Sequence, residues 1–122
     1  MYVYFNSNYK NKIVGDCTVR ALSAFLGQDW KTTYIELCVK GYELADMPSS
    51  NATWCQYLLD KGYKRYIVNS ECPDCITVRE FAKRHDAGRY FLFVGGHVVC
   101  LIDGRYLDTW DCGDRVVEYF FK

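Results

Sequence analysis

The amino-acid sequence predicts an α+β fold in which N-terminal helices pack on one face of a C-terminal antiparallel β-sheet. Apolar residues recur at helical spacing over much of the chain, whereas beyond Gly88 β-branched and aromatic runs alternate with turn-forming pairs. Helices followed by strands are typical of this fold class. No repeat or linker-like stretch interrupts the 122 residues, so we expect a single domain, 1–122.

The first helix is expected to begin at Cys17. Asp16 is a good N-cap residue, and Gly27 is placed to end the helix in a left-handed conformation. A second helix is expected over residues 29 to about 40. Its predicted buried stripe comprises Trp30, Tyr34, Leu37 and Cys38.

Two further helices are indicated by capping-box spacing, in which a hydroxyl side chain is followed three residues later by Glu or Gln. Thr53 and Gln56 have this spacing at the start of the third helix, which Gly62 would end. Thr77 and Glu80 have it at the start of the fourth helix.

Strand signals occur near the N-terminus, in the middle and throughout the C-terminal part of the chain. Residues 2–5 are expected to form a short edge strand, and residues 63–68 carry strand-type side chains. The C-terminal runs predict strands at 89–94, 97–102, 105–110 and 115–121. Asp103-Gly104 between two of these runs favours a two-residue hairpin turn.

The charge balance excludes a protein that binds nucleic acid or an anionic membrane through bulk positive charge. Lys and Arg number 15 against 15 Asp and Glu. No apolar run approaches the roughly 18 residues that a membrane span needs. The first residues lack the pattern of a secretory signal, and the odd number of cysteines, seven, is typical of free thiols in a reducing compartment. We therefore expect a cytoplasmic protein with no nucleic-acid or membrane partner.

Cys17 is the cysteine in the most distinctive position. In the first turn of a helix, unpaired backbone N–H groups and the positive end of the macrodipole favour a thiolate. Arg20 would lie one turn further on, adding positive charge and neutralising Asp16 at the i+4 spacing. The alternative is an inert core cysteine at a helix start.

His97 and an acid on the following strand are the candidate partners of Cys17. His97 opens an apolar strand, whereas His85 ends a charged helix. With a two-residue turn, Asp108 lies diagonally across the hairpin on the same face as His97, at a backbone distance of about 7–8 Å. A turn longer by one residue would put Asp111 in this position instead. We favour Asp108.

These residue types suit nucleophilic catalysis. An imidazole activates a thiol by taking its proton, and an acid that fixes the ring lets the imidazole return the proton to a leaving amine. The developing oxyanion needs donors, for which the backbone N–H of Cys17 and a side-chain amide upstream are candidates. Asn11 is the favoured amide and Asn8 the second choice.

A cysteine that opens an N-terminal helix, a histidine that starts a late strand and an acid on the next strand resemble, in this order, papain-like cysteine peptidases. The segments around Cys17 (11–22) and around His97 and Asp108 (96–111) also resemble a group of short phage-type proteins. They are most similar to the small bacterial and phage-type branch, which includes bacteriocin-leader-processing and cell-wall peptidases. The resemblance implies a helix packed on an antiparallel sheet, with Cys17 as nucleophile, His97 as base, Asp108 as orienting acid and Asn11 as oxyanion donor. It implies neither cofactor nor metal. Asn11 stands where the family usually has glutamine, and the papain signature Cys-Gly-Ser-Cys-Trp is absent.

The predicted function is that of a cysteine peptidase, or an isopeptidase or acyl transferase, acting on a peptide or protein amide bond through a Cys17 thioester. One alternative is a catalytically inactive papain-like module that binds protein. Another is a small zinc-binding domain, because Cys72 and Cys75 have the spacing of a zinc ligand pair.

Overall fold

Helices dominate the first half of the chain and strands the second half, in a computed structural model that describes residues 1–69 and 75–122. The helices are α1 (Cys17–Leu26), α2 (Trp30–Leu44), α3 (Asn51–Asp60) and α4 (Val78–Arg84). The strands are β1 (Tyr2–Tyr4), β2 (Arg65–Ile67), β3 (Arg89–Phe93), β4 (Val98–Ile102), β5 (Arg105–Asp108) and β6 (Tyr119–Phe121). The predicted α+β class is confirmed.

The strands form one mixed sheet of six strands in the order β1-β5-β4-β3-β6-β2. The predicted antiparallel pairing is wrong at one edge of the sheet, and at both edges the outer strand comes from an earlier part of the chain rather than from the C-terminal part. At one edge β1 pairs in parallel with β5, Tyr2 lying opposite Tyr106. At the other edge β2 pairs antiparallel with β6. Short strands from earlier in the chain thus pair with β5 and β6, the outer strands of the C-terminal set, whose edges would otherwise be unpaired.

The central hairpin has the predicted two-residue turn. Ile102 lies opposite Arg105, and Asp103 and Gly104 adopt positive φ angles of 48° and 76°. Positive φ at both central residues is the type I′ geometry, whose twist matches that of the flanking strands. This register fixes which side chains of β5 lie beside the start of β4.

The two sheet faces carry separate apolar cores. Alternate strand residues such as Phe91 and Cys100 pack with α1 and α3, whereas Leu92 and Leu101 pack with α4. Successive strand side chains point to opposite faces, so each strand contributes to both cores. The expectation that all helices lie on one face is therefore wrong, because α4 covers the opposite face.

The helix α1 has its predicted bounds and ends at Gly27, whereas α2 runs past the predicted end near residue 40 to Leu44. Gly41 lies inside α2 because the following loop packs against it: a β-carbon there would lie 2.7 Å from the carbonyl oxygen of Asp46. Of the predicted α2 stripe only Leu37 is buried, since Trp30 and Cys38 are partly exposed and Tyr34 is exposed.

Capping was predicted correctly for α4 and wrongly for α3. Thr77 and Glu80 form the expected capping box. In α3 the N-cap is Ser50, whose side chain accepts a hydrogen bond from the Thr53 backbone N–H, and Gln56 instead donates to Asp60 within the helix. Because Ser50 rather than Thr53 is the N-cap, α3 begins at Asn51, two residues before Thr53. Among the described residues no helix is long and apolar enough to cross a bilayer.

Replacing Trp54 with alanine should destabilise the fold strongly. Trp54 is 1% exposed and packs against rings from β3 and β6, among them Phe91 at 5.1 Å between centroids. Loss of a buried Trp side chain costs about 3–5 kcal/mol of unfolding free energy. Urea denaturation measures this change. Tyr42→Ala is the control, because Tyr42 is 88% exposed and its loss should cost about 0.5 kcal/mol or less; equal effects would contradict the predicted core.

Candidate active site

Cys17 is the first residue of α1 and is partly buried. The residue before it does not cap the helix as predicted. The Asp16 carboxylate accepts no hydrogen bond from the first turn; it pairs instead with the Arg20 guanidinium and accepts a hydrogen bond from Trp30 Nε1 at 2.8 Å. A cationic partner at the i+4 position competes with the backbone N–H groups for the carboxylate. The N-terminal end of α1 therefore keeps its positive dipole at Cys17.

His97 lies immediately before β4, and Asp108 ends β5. The distance between His97 Nε2 and Asp108 Oδ2 is 2.6 Å, and both side chains are buried. Asp111, the alternative acid, is exposed and accepts hydrogen bonds from the Tyr106 hydroxyl and the Gly113 backbone N–H. The two-residue turn accounts for this difference, because it brings Asp108 rather than Asp111 beside the start of β4.

The Cys17 thiol contacts the His97 imidazole. Burial raises the pKa of the thiol, but the hydrogen bond with His97 and the positive charge of that ring lower it, so the pKa lies below its ordinary value. The Val98 backbone N–H and the charge of Arg20 lower the pKa further. Since His97 Nε2 is bonded to Asp108, Nδ1 is the ring nitrogen left for the sulfur.

The imidazole and its acid stabilise each other's charged forms. Burial lowers the pKa of His97, but hydrogen bonds with Asp108, Cys112 and Cys17 outweigh this effect and raise it to about 11. Burial raises the pKa of Asp108, but the His97 hydrogen bond and charge hold it below its ordinary value. The Thr109 backbone N–H, 2.7 Å from Oδ1, adds to this lowering. The hydrogen bonds and charges around Cys17, His97 and Asp108 thus shift all three pKa values towards the thiolate, imidazolium and carboxylate forms.

Arg20 joins the candidate nucleophile's helix to the candidate acid. Its side chain is buried, and Nη2 donates to Asp108 Oδ1 at 2.9 Å while Nη1 donates to Asp16. A continuous chain of hydrogen bonds therefore runs from Trp30 through Asp16, Arg20 and Asp108 to His97. The pairing of Arg20 with Asp16 was predicted. Its bond to Asp108 was missed, because it links positions 88 residues apart and has no local sequence signal.

Cys112, named from the sequence only as a possible further ligand of a zinc site with Cys72 and Cys75, is a second residue that the sequence analysis did not place at this site. Its buried sulfur and ligand atoms of His97 and Asp108 all lie within 4.8 Å of one another. Burial raises the pKa of Cys112, and the nearby Asp108 charge opposes ionisation, so this side chain remains a thiol. These groups could ligate an ion only if the bond between His97 and Asp108 broke, since two ligands of one zinc ion lie further apart than 2.6 Å.

The predicted oxyanion donor lies outside this hydrogen-bonded group. Asn11 is exposed in a turn with φ of 53°, and its backbone N–H donates to the Asn8 carbonyl at 2.8 Å. Asn8 is buried, and its side-chain oxygen accepts from the backbone N–H groups of Lys10 and Lys12. Asn8 therefore holds the turn that presents Asn11 to solvent.

Two other sequence predictions concern Trp110, expected in the strand 105–110, and the cysteine pair of the possible zinc site. Trp110 lies beyond the end of β5 rather than within the strand, and its ring centroid is 4.9 Å from that of His97. Cys72, one half of the predicted zinc pair, falls outside the described residues. Cys75, the other half, is partly buried.

Replacing Arg20 with methionine should lower the free energy of unfolding by about 3–5 kcal/mol, because buried Asp16 loses its cation and buried Asp108 keeps only that of His97. Urea denaturation at pH 7 measures the loss, and Arg20→Lys should restore part of it. Arg105→Met is the control, since Arg105 is exposed, and it should cost about 0.5 kcal/mol or less. If Arg20→Met were as mild as the control, the buried network would not be a stabilising constraint.

Comparisons with protein-family models, with curated proteins and with solved structures gave no significant match to this chain. The functional interpretation therefore depends on the geometry of Cys17, His97 and Asp108.

Proposed function

We propose that this chain is a cysteine peptidase, or an isopeptidase or acyl transferase of the same chemistry, acting on an amide bond of a peptide or protein. The supporting observation is the contact between the Cys17 thiol and the His97 imidazole, whose far nitrogen lies 2.6 Å from Asp108. A thiol beside an imidazole that is oriented by a carboxylate is suited to attack on a carbonyl carbon.

In the proposed first step, the Cys17 thiolate sulfur forms a bond to the carbonyl carbon, and the C=O π electrons move to the oxygen. The tetrahedral intermediate then collapses, the C–N bond breaks, and the His97 imidazolium donates its Nδ1 proton to the leaving amine. A thioester remains on Cys17. Water or an amine then attacks the thioester while neutral His97 accepts its proton, and cleavage of the C–S bond regenerates the thiolate.

The residues behind the imidazole have distinct parts in this proposal. Asp108 holds Nε2 and stabilises the positive charge of the ring, so that Nδ1 stays directed at the sulfur. Arg20 acts through Asp108 and is a positioning residue, because its bond to Oδ1 keeps the carboxylate ionised and fixed. The Cys17 thiolate is thus ready for attack near neutral pH.

Oxyanion stabilisation is assigned in this proposal to the backbone N–H of Cys17, with Asn11 as the side-chain donor. The start of α1 supplies the backbone donor and the positive end of the helix dipole. Asn11 occupies the turn that leads into this helix, and its exposure leaves the amide accessible to a bound substrate. Asn11→Ala should therefore slow turnover without lowering the reactivity of the Cys17 thiol.

The papain-like architecture and a cytoplasmic location belong to the same proposal. In support of the first, α1 packs on β4 in an antiparallel β3-β4-β5 core, with Cys17 at the end of the helix nearest His97. In support of the second, Cys17, Cys38, Cys55, Cys100 and Cys112 are free thiols, as is typical of a reducing compartment.

A protein-binding module is the second candidate function. The outer surface of α2 exposes large apolar side chains, with Tyr42, Ile35 and Val39 at 88%, 61% and 52% exposure. Exposed apolar surface of this kind is typical of sites that contact another protein. An inactive module of this type has no need of a reactive Cys17, and the following experiment separates the two functions.

Cys17 should react with iodoacetamide at pH 6 at least about tenfold faster than the other cysteines, because alkylation requires the thiolate. Peptide mapping by mass spectrometry at timed intervals measures each rate. Cys55 is the internal control, since it is also partly buried but burial raises its pKa.

His97→Ala should remove this selectivity, whereas His85→Ala, which deletes the other histidine, should leave it intact. Uniform labelling of the partly exposed cysteines in the unmodified protein would contradict the proposed enzyme and favour the binding module.

Asp108→Asn should move the onset of Cys17 alkylation to higher pH. The Asp108 hydrogen bond and charge raise the pKa of His97, so their loss lets the ring lose its proton at lower pH. The thiolate then lacks its imidazolium partner near neutrality, and the rate falls at pH 6 but recovers at about pH 9. An unchanged pH profile would show that Asp108 does not set the charge of His97.

A further inference from the structure

Cys112 is a buried thiol to which the proposed reaction gives no part. It lies in the loop that follows β5 and is 1% exposed. Its sulfur contacts both the His97 imidazole and the Asp108 carboxylate. A nitrogen, an oxygen and a sulfur are thereby brought within 4.8 Å of one another, and Nε2 is the ring nitrogen on the side of Asp108.

This set of donor atoms is suited to zinc. Imidazole nitrogen, carboxylate oxygen and thiolate sulfur are the ligands that zinc takes in proteins, and three protein ligands leave a fourth position for water. Magnesium and calcium instead prefer oxygen ligands. A thiolate beside an imidazole therefore favours zinc over these two ions.

The distances between the donor atoms need one adjustment. The zinc bond lengths and tetrahedral angles place the ligand atoms of one ion about 3.3–3.6 Å apart. His97 Nε2 and Asp108 Oδ2 lie 2.6 Å apart, so zinc binding requires their distance to increase by about 0.7 Å. The hydrogen bond between these two residues and a zinc site are thus alternative arrangements of the same side chains.

Asp108 and Cys112 are held in place by neighbouring groups. The Asp108 Oδ1 atom accepts hydrogen bonds from Arg20 Nη2 at 2.9 Å and from the Thr109 backbone N–H at 2.7 Å, which leaves Oδ2 for an ion. Asp111, next to Cys112, accepts from the Tyr106 hydroxyl at 2.7 Å. Outer partners of this kind orient the ligands of a metal ion.

The imidazole is the ligand that can move. His97 follows Gly95 and Gly96, which are exposed and both have φ of 71°. Glycine has access to more backbone conformations than other residues, so this loop allows a small shift of the ring. Trp110, which is 41% exposed, contacts the same ring, and the imidazole therefore lies close to the surface from which an ion would enter.

Zinc binding would leave the net charge of the buried group unchanged. The ion displaces the thiol proton of Cys112 and the Nε2 proton of the His97 imidazolium, and both protons pass to water. Two positive charges on zinc replace the two protons, while Asp108 stays ionised beside Arg20. The ion thus enters without leaving an unpaired charge inside the fold.

We propose that His97, Asp108 and Cys112 form a zinc site whose occupation excludes the hydrogen bond between His97 and Asp108. With Nε2 bound to zinc, the carboxylate no longer holds the ring for proton transfer, so the ion inhibits the reaction proposed for Cys17. The binding site needs no reactive Cys17, and only the inhibition rests on the proposed function.

Cobalt(II) tests the site on the full chain in its reduced, metal-free form. Cobalt occupies the same kinds of site as zinc, and a bond between cobalt and a thiolate gives a charge-transfer absorption band in the near ultraviolet. One equivalent of Co²⁺ should produce this band. One equivalent of Zn²⁺ should then remove it, because zinc binds such ligands more tightly than cobalt.

Substitutions identify the ligands. Cys112→Ala should abolish the band, and His97→Ala should weaken zinc binding at least about hundredfold, measured by competition with a chelating dye. Cys100→Ala is the matched control, because Cys100 is also a buried thiol, and it should keep the band. Cys17→Ser retains a hydrogen-bond acceptor for Nδ1 and should change zinc affinity by less than about tenfold. Circular dichroism shows whether each variant is folded, and His97→Ala decides if Cys112→Ala is not.

The outcomes separate the zinc site from the proposed enzyme. A band that survives Cys112→Ala would overturn the site, and its loss in Cys72→Ala would assign the metal to the cysteine pair predicted from the sequence. Selective iodoacetamide labelling of Cys17 without any cobalt band would overturn the zinc site alone. A cobalt band that depends on Cys112, without selective labelling of Cys17, would support the site and overturn the enzyme.

Discussion

A buried network of charges ties the helix that carries Cys17 to the strands that flank His97 and Asp108. Arg20, one turn along α1 from Cys17, donates to the same carboxylate that holds the imidazole. Sliding α1 along the sheet would break this pairing, and buried ionised groups without partners destabilise the fold. The geometry at Cys17 is therefore coupled to the packing of the fold rather than left to a flexible loop.

The same network balances its own charge. Arg20 and His97 supply two cations, and Asp16 and Asp108 supply two carboxylates. A thiolate on Cys17 adds one negative charge, which lies at the positive end of α1 and against the His97 ring. Cys112, beside His97 and Asp108, adds a neutral thiol, because burial and the charge of Asp108 raise its pKa. Two cysteines near one imidazole thus have opposite tendencies to ionise.

Features set by local sequence were predictable, and features set by contacts between distant segments were not. The start of α1 at Cys17, the capping box at Thr77 and the turn at residues 103–104 all depend on neighbouring residues. The parallel pairing of β1 with β5 and the placement of α4 on the second face depend on tertiary packing. The Asp16 carboxylate did not take its predicted role as N-cap, because it pairs with Arg20, a local contact that was predicted, and accepts a hydrogen bond from Trp30, a contact that was not.

The candidate site also combines features that the local sequence predicts with features that depend on contacts between distant segments. Strand alternation and turn length were enough to bring Asp108 to His97, because these are local properties of one hairpin. The meeting of that hairpin with Cys17 was an expectation from residue types and from a family resemblance. The contribution of Arg20 to Asp108, and the position of Cys112, required the folded chain.

An ion pair between Cys17 and His97 at neutral pH is what the proposed chemistry depends on most directly. Nitrogen-15 chemical shifts of the His97 ring, followed by NMR from pH 5 to 10, measure its protonation directly. Both ring nitrogens should stay protonated through pH 8, because the surrounding groups raise the pKa of His97 to about 11. If the ring lost its proton near pH 6.5, its ordinary pKa, Cys17 and His97 would not form an ion pair at neutral pH.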